Sequence, residues 1–266
     1  DNIKKCMSYG IRIAQGEEGY LACGTNGIGR LAEPETLFAW IEHALCSKND
    51  LSGKKILVTA GPTQEALDPV RYITNHSSGK MGYAIAKAAS MRGADVTLVS
   101  GPVALKEPLF VKTVKITSAR DMAQAVKENF SDADILIKAA AVADYRPASV
   151  SDKKIKKHDD DLQLPLERTE DILAWCGMNK KGKQFLCGFS METQNMIENS
   201  KAKLVKKNLD LVAANSLSSP DSGFAVDTNV LTLISSQRIK ELPVMQKEEA
   251  ANFLLDEILF LMEQRR

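Results

Sequence analysis

Short apolar, β-branched runs alternate along this chain with longer stretches of helical spacing. Lys55-Ile-Leu-Val-Thr59, running on to Ala60, has the pattern of a buried parallel strand. Tyr83 to Arg92 is rich in good helix formers and stops at Gly93, which predicts a helix over Met81–Arg92. Further strands are expected at Asp95–Ser100, at Lys112–Ile116, and from Asp134 to Lys138 into the small-residue patch Ala139–Ala143. A helix is expected between them at Ala119–Phe130. Thr169–Gly177 then reads as a helix, Gln184–Gly188 as a strand, Met196–Lys207 as a helix and Leu209–Ala213 as a strand. After a turn-forming Ser218-Ser-Pro-Asp-Ser-Gly223, Asn229–Ser235 and Arg238–Leu242 read as a β-hairpin, and Glu248–Gln264 as an amphipathic helix on a core. This alternation predicts an α/β fold: a Rossmann-like, doubly wound, mainly parallel sheet with an added β-hairpin, binding ligands at the carboxyl ends of its strands.

Residues 1–46 do not share this rhythm. The stretch from Ala22 through Cys23, Gly27, Gly29 and Arg30 to Pro34 is too glycine-rich to be expected in a regular element. Thr36–Leu45 reads as a short helix, and Cys46–Gly53 as a polar linker. The expected division is therefore 1–46 and 47–266. Composition changes this picture little. With 35 basic and 34 acidic residues the net charge is +1, which gives no argument for nucleic acid or membrane as partner. Five cysteines without a CxxC pair suggest reduced thiols, no structural zinc and a cytoplasmic protein. No signal peptide or membrane-spanning run is evident.

The candidate chemistry centres on Thr59 to Gly82, a long polar loop between strand and helix. Ser77, Ser78, Gly79 and Lys80 place two hydroxyls, a close-approaching backbone and a cation at the expected helix start, where phosphate is bound in open α/β proteins. A Walker A loop would need Gly at Thr74 and Ser or Thr at Met81, and the dinucleotide fingerprint breaks after Gly61. The patch Ala139–Ala143 would let a base or ribose lie against the backbone, or would simply pack helix on sheet. Residues 147–161 are charged and aperiodic; Lys153, Lys154, Lys156 and Lys157 read as a solvated face or as a mobile flap over a polyphosphate. His76 has no identifiable Ser or Cys partner, and His43 and His158 also suggest no chemistry.

The string Gly61-x-Thr63-x-Glu65-x-x-Asp68-Pro-Val-Arg71-x-Ile-x-Asn75-x-Ser-Ser-Gly-Lys80-Met-Gly82 resembles the signature of phosphopantothenate–cysteine ligase. The likeness continues through Ala139–Arg146, Lys154-Ile-Lys-Lys157, Gly188-Phe189 and Lys203-x-x-x-Lys207-Asn208-x-Asp210. Residues 1–46 resemble the tail of the decarboxylase half fused to that enzyme in bacteria, with Cys23 at the position of its proton donor. The resemblance implies that the FMN of that half is bound by a body outside this sequence. The resemblance implies a homodimer that uses Mg²⁺ and CTP to join 4′-phosphopantothenate and L-cysteine through an acyl-cytidylate. It implies Asn75 and Lys154 as catalytic residues, Arg71 as substrate anion partner, and Asp144 as contact to nucleotide and metal. Nucleotide contacts are implied at Ser77, Ser78, Gly79, Lys80, Lys138, Ala139, Ala140, Lys154, Glu170, Asp171, Ile172, Leu173, Phe189, Lys203 and Lys207. Two alternatives are a nicotinamide-dependent oxidoreductase, against which the missing fingerprint stands, and a non-catalytic nucleotide-binding module.

Overall fold

The computed structural model describes residues 1–14, 16–46, 48–157, 162–192, 195–216 and 226–265. His158, the end of the lysine-bearing stretch at 158–161, and the expected turn at 218–223 lie outside the described residues. Two compact units divide between Asn49 and Asp50. The first contains helices Asn2–Ser8 and Pro34–Leu45 and, against expectation, an antiparallel ribbon of Glu17–Tyr20 with Asn26–Arg30. Its glycines permit this ribbon. Gly19 faces Gly27 across it, and a Cβ on Gly16 would stand 2.9 Å from the Arg30 carbonyl oxygen.

In the second unit eight strands form one sheet: β1 Lys55–Ala60, β2 Asp95–Ser100, β3 Lys112–Lys115, β4 Ile135–Lys138, β5 Phe185–Glu192, β6 Leu211–Ser216, β7 Leu231–Ile234 and β8 Ile239–Glu241. Their spatial order is 8-7-6-5-4-1-2-3, with β1 to β6 parallel and β7 and β8 antiparallel. The hairpin expected near the C-terminus is thus an added sheet edge. The chain reverses direction across the sheet between β1 and β4, so the loops leaving those strands diverge and leave a crevice, the usual ligand position in this architecture.

Burial follows the period of two that a sheet covered on both faces requires. Ile56, Val58 and Ala60 of β1, Ile135 and Ile137 of β4, and Phe185 and Cys187 of β5 join one apolar cluster. That cluster includes α1 (Lys80–Met91) and the last helix, Lys247–Glu263. Leu57, Leu136, Leu186 and Val212 join the other, under α2 (Ala119–Phe130), α3 (Ile172–Met178) and α4 (Met196–Lys206). Helix α1 can lie close on β1 because Gly82 lacks a Cβ; one placed there would sit 2.5 Å from the Ala60 Cβ.

Three local expectations need correction. Thr169 is not helical; α3 starts at Ile172, because the Asp171 carboxylate caps it by accepting the Ala174 N–H at 3.0 Å. The long loop after β1 is also more ordered than its composition implies, since Gln64–Ala66 pairs with Tyr72–Thr74. The segments Tyr145–Pro147 and Leu166–Arg168 likewise pair across the lysine-bearing stretch. Finally, residues 46–53 are not wholly a polar linker: Leu51 is fully buried, and Asp50 pairs with Arg92. No helix among the described residues is long and apolar enough to cross a membrane.

Candidate active site

A cavity of about 530 Å³ occupies the crevice between β1 and β4. Its floor is made by the chain leaving those two strands. Residues 139–143 are hydrogen-bonded to residues 59–63 along their length. The Thr59 hydroxyl accepts the Ala140 N–H at 3.2 Å, the Gly61 carbonyl accepts the Ala141 N–H at 2.9 Å, and the buried Thr63 hydroxyl accepts the Ala143 N–H at 3.0 Å. The small side chains of the alanine patch therefore serve two ends. They allow this close backbone pairing, and Ala139, Ala140 and Ala141 also line the cavity.

Asn75 is aimed by the same framework. Its Nδ2 donates to the Ala141 carbonyl at 3.0 Å, and the preceding Thr74 hydroxyl donates to the Thr63 carbonyl at 2.8 Å. One amide hydrogen and the amide oxygen of Asn75 are left to face a ligand. Ser77 and Gly79 lie on the cavity wall where α1 begins. Gly79 caps that helix in the left-handed conformation at φ +78, where a side chain would be strained. An anion there meets the orphan N–H groups and the positive end of α1.

The opposite wall is cationic. Lys138 stands at the end of β4, and Lys203 and Lys207 come from α4 and its C-cap. Lys203 is held by donation of its ammonium to the Phe189 carbonyl at 2.6 Å, and Lys207 by an ion pair with Asp171 at 2.7 Å. The turn after α4 is fixed too, with Asn208 at φ +50 and its Nδ2 on the Gly177 carbonyl at 2.9 Å. Burial, and then the neighbouring charges of Lys203 and Lys207, pull the Lys138 amine down to about 8 against the opposing influence of Asp171 and Asp144. At pH 8 Lys138 is therefore about half protonated. A polyanion placed among these lysines favours the charged form and draws a proton in. Calorimetric titration of nucleoside triphosphate at pH 8, in buffers of different ionisation enthalpy, should show uptake of roughly half a proton. Lys138→Met should abolish the uptake, and a buffer-independent enthalpy for the unaltered chain would contradict the assignment.

Asp144, Glu170, Asp171, Ile172, Leu173 and Phe189 complete the wall. Asp144 is an exposed carboxylate at the carboxyl end of the sheet. No group of three His, Cys, Asp or Glu side chains among the described residues is arranged to hold a metal by itself. One carboxylate nevertheless fits Mg²⁺, which takes most of its ligands from phosphate and water. The thiols in this unit are unsuited to nucleophilic work: burial pushes Cys176 up to about 12 and raises Cys187 as well.

Four of the residues expected at the site are not in the cavity wall. Lys80 turns away to pair with Asp227 at 2.7 Å, beside a separate groove of about 460 Å³. Ser78 does not line the cavity either. Arg71 is engaged with Asp68, and Lys154 lies exposed in the segment beyond it. In the other unit, Cys23 is exposed, and its hydrogen bond with Thr25 at 3.3 Å lowers its thiol below the ordinary value. Conversely, Asn215, Asn229 and Lys247 line the cavity and were not expected. They come from β6 and from segments far along the chain, and the one sequence-level hint is that β6 ends in the crevice.

Residues 51–261 match the profile of the family described as "DNA/pantothenate metabolism flavoprotein C-terminal domain". The chain is 45% identical over 267 aligned residues to the coenzyme A biosynthesis bifunctional protein CoaBC of Bacillus subtilis (strain 168), covering 99% of this chain and 66% of that protein. It is 45% identical over 261 residues to the protein of the same name from Escherichia coli (strain K12), covering 97% and 64%. It thus spans slightly less than two thirds of these curated relatives. A crystal structure of the C-terminal domain of a coenzyme A biosynthesis bifunctional protein CoaBC shares 46% identity at a TM-score of 0.70, covering 81% of this chain and 99% of that one.

Proposed function

Because this chain belongs to the DNA/pantothenate metabolism flavoprotein C-terminal domain family, we propose that residues 47–266 act as a cytoplasmic phosphopantothenate–cysteine ligase in coenzyme A biosynthesis. On this reading 4′-phosphopantothenate and cysteine are joined while CTP is cleaved to CMP and pyrophosphate. Residues 1–46 are the tail of a decarboxylase half, with Cys23 its proton donor. The observation that carries the reading is the convergence of Lys138, Lys203, Lys207 and the N-terminus of α1 on the same cavity as Asn75.

A carboxylate cannot acylate an amine until one of its oxygens is made a leaving group. In the proposed reaction a carboxylate oxygen attacks the α-phosphorus of CTP, pyrophosphate departs, and a mixed anhydride forms. The cysteine amine then attacks the acyl carbon, and CMP leaves with that oxygen. Both steps move negative charge, so the barrier is lowered by fixed cations and N–H donors. Lys138, Lys203, Lys207 and the α1 N-terminus hold the nucleotide phosphates. Lys154 supplies a further cation when its segment covers them, and Asn75 orients the acyl carbonyl. Mg²⁺, held by Asp144 and the nucleotide phosphates, would neutralise charge on the phosphates.

The reading includes a homodimer, for which the exposed apolar side chains Val70, Tyr72, Tyr145 and Leu166, in and beside the two small hairpins, offer a surface. Incubating the chain with all three substrates and following the product by mass should yield phosphopantothenoylcysteine, with kcat/KM higher for CTP than for ATP. Equal or better use of ATP would overturn the nucleotide assignment, and no product with either would overturn the ligase.

A further inference from the structure

The Asp68 side chain is fully enclosed and collects hydrogen bonds from two segments far apart in sequence. Its Oδ1 accepts the N–H groups of Val70 and Arg71, each at 2.8 Å, which closes the turn of its own loop. Its Oδ2 accepts Arg71 Nε at 3.1 Å and Nη2 at 2.5 Å, and also the backbone N–H of Ile155 at 3.0 Å. The same Arg71 Nη2 donates to the Ile155 carbonyl at 2.8 Å, and Ser151 N–H donates to the Leu67 carbonyl at 3.0 Å. The Arg71 guanidinium holds the Asp68 carboxyl far below the usual carboxylate range.

Among the described residues, the segment so grasped has few other bonds to the rest of the chain. Lys153, Lys154, Lys156 and Lys157 are exposed, and Ile155 between them is only half-buried. Its order near Lys154 depends on charge-assisted bonds to one carboxylate and the arginine beside it, rather than on apolar burial. The anchor is also local to the chemistry, since the strand that follows Arg71 leads straight to Asn75. We propose that Asp68 is a positioning residue that docks the Lys154-bearing segment onto the loop carrying Asn75, so that the two side chains work from one rigid frame. Arg71 is then the clamp of that dock, which accounts for a guanidinium turned to Asp68 and Ile155 and absent from the cavity wall. This inference rests on the role proposed for Lys154.

Asp68→Asn separates the two duties of the carboxylate. The amide oxygen can keep the turn by accepting from Val70 and Arg71, while an NH₂ in place of Oδ2 faces donors and releases Ile155. Ile155→Pro removes the other half of the contact by deleting the donor N–H, and leaves the buried carboxylate and its turn intact. Ile155→Pro should unfold near the temperature of the unaltered chain, and Asp68→Asn several degrees lower, since it breaks a buried ion pair. At a temperature where both are folded, each should nevertheless be cut by trypsin after Lys153, Lys156 or Lys157 at least tenfold faster, the bond after Lys154 being resistant in the proline variant. Both should form acyl-cytidylate on the order of ten- to a hundredfold more slowly. Combined with Lys154→Gln, neither should slow that step further, because a lysine that is already absent cannot be mispositioned. Unchanged tryptic cleavage in both variants would overturn the dock. Faster cleavage with a loss that multiplies that of Lys154→Gln would overturn the positioning of Lys154. The proteolysis readout needs no ligase activity, so failure of the enzymatic reading is distinguishable from failure of this one.

Discussion

Replacing Asn75 with alanine is expected to leave acyl-cytidylate formation largely intact and to slow its conversion to amide by a factor of about a hundred to a thousand. That is the usual cost of removing one fixed donor to a reacting carbonyl, roughly 2.7–4 kcal/mol of barrier. The geometry explains why the loss falls on the second step. Asn75 is tied through Nδ2 to the Ala141 carbonyl and carries no charge, so it can orient a carbonyl but cannot offset the repulsion between a carboxylate and a triphosphate. Lys154→Gln should show the reverse: little anhydride and little pyrophosphate even without cysteine. Rapid quenching with labelled CTP separates the two, because intermediate should accumulate in the Asn75 variant and not in the Lys154 variant. The opposite pattern would mean that the two roles are exchanged.

Arg92→Met is expected to destabilise the second unit by about 3 kcal/mol, with an unfolding midpoint lower by roughly 6–12 °C. The Arg92 side chain is 2% exposed, and its guanidinium binds Asp50 at 2.9 and 2.7 Å, Asp256 at 2.8 Å and the Asn252 carbonyl at 3.2 Å. It thereby joins the start of this unit to the end of α1 and to the last helix. Methionine fills part of the volume but leaves two carboxylates and a carbonyl without their donor. Asp50 and Asp256 are 40% and 41% exposed and can be partly rehydrated, which keeps the cost at the low end for a broken buried pair. Denaturant unfolding should show this shift at an unchanged slope, with normal turnover per folded molecule. A loss below about 1 kcal/mol would show that the arginine is held by packing alone.

The sheet was legible because its strands are buried on both faces. Ile56, Leu57 and Val58, and likewise Ile135, Leu136 and Ile137, are short unbroken apolar runs at the centre of two of them, and the helices between end at glycine or at polar caps. The paired segments Gln64–Ala66 and Tyr72–Thr74 were not legible: three residues do not show a period, and their register depends on hydrogen bonds made elsewhere, such as Thr74 to Thr63. Asn26–Arg30 was misread for a different reason. Glycine lowers strand propensity on average, yet here it permits the close approach the ribbon needs.

The site shows the same contrast. Ser77 and Gly79 lie at the expected start of a helix that follows a sheet strand, so the ligand rule for open sheets locates them, whereas Asn75 and Asp144 were named through resemblance. Lys203 and Lys207 were found through resemblance, and their aim follows from the Phe189 carbonyl and Asp171, which sequence does not connect to them. Lys247 could not be anticipated at all. It stands 165 residues beyond Gly82 and reaches the cavity only because the last helix packs on α1. Arg71 was assigned to a substrate anion through resemblance alone, and its bond to the Ile155 carbonyl, 84 residues further along the chain, is one that sequence does not connect to it.

If this cavity activates a carboxylate as an acyl-nucleotide, the two carboxylate oxygens must part, one to CMP and one to the amide. Phosphopantothenate labelled with ¹⁸O in both carboxylate oxygens is incubated with the chain, CTP and cysteine, and the released CMP is weighed. The proposed chemistry requires one labelled oxygen in each CMP phosphate and one in the amide carbonyl of the product. Unlabelled CMP, with the lost oxygen appearing in inorganic phosphate or water, would contradict the account.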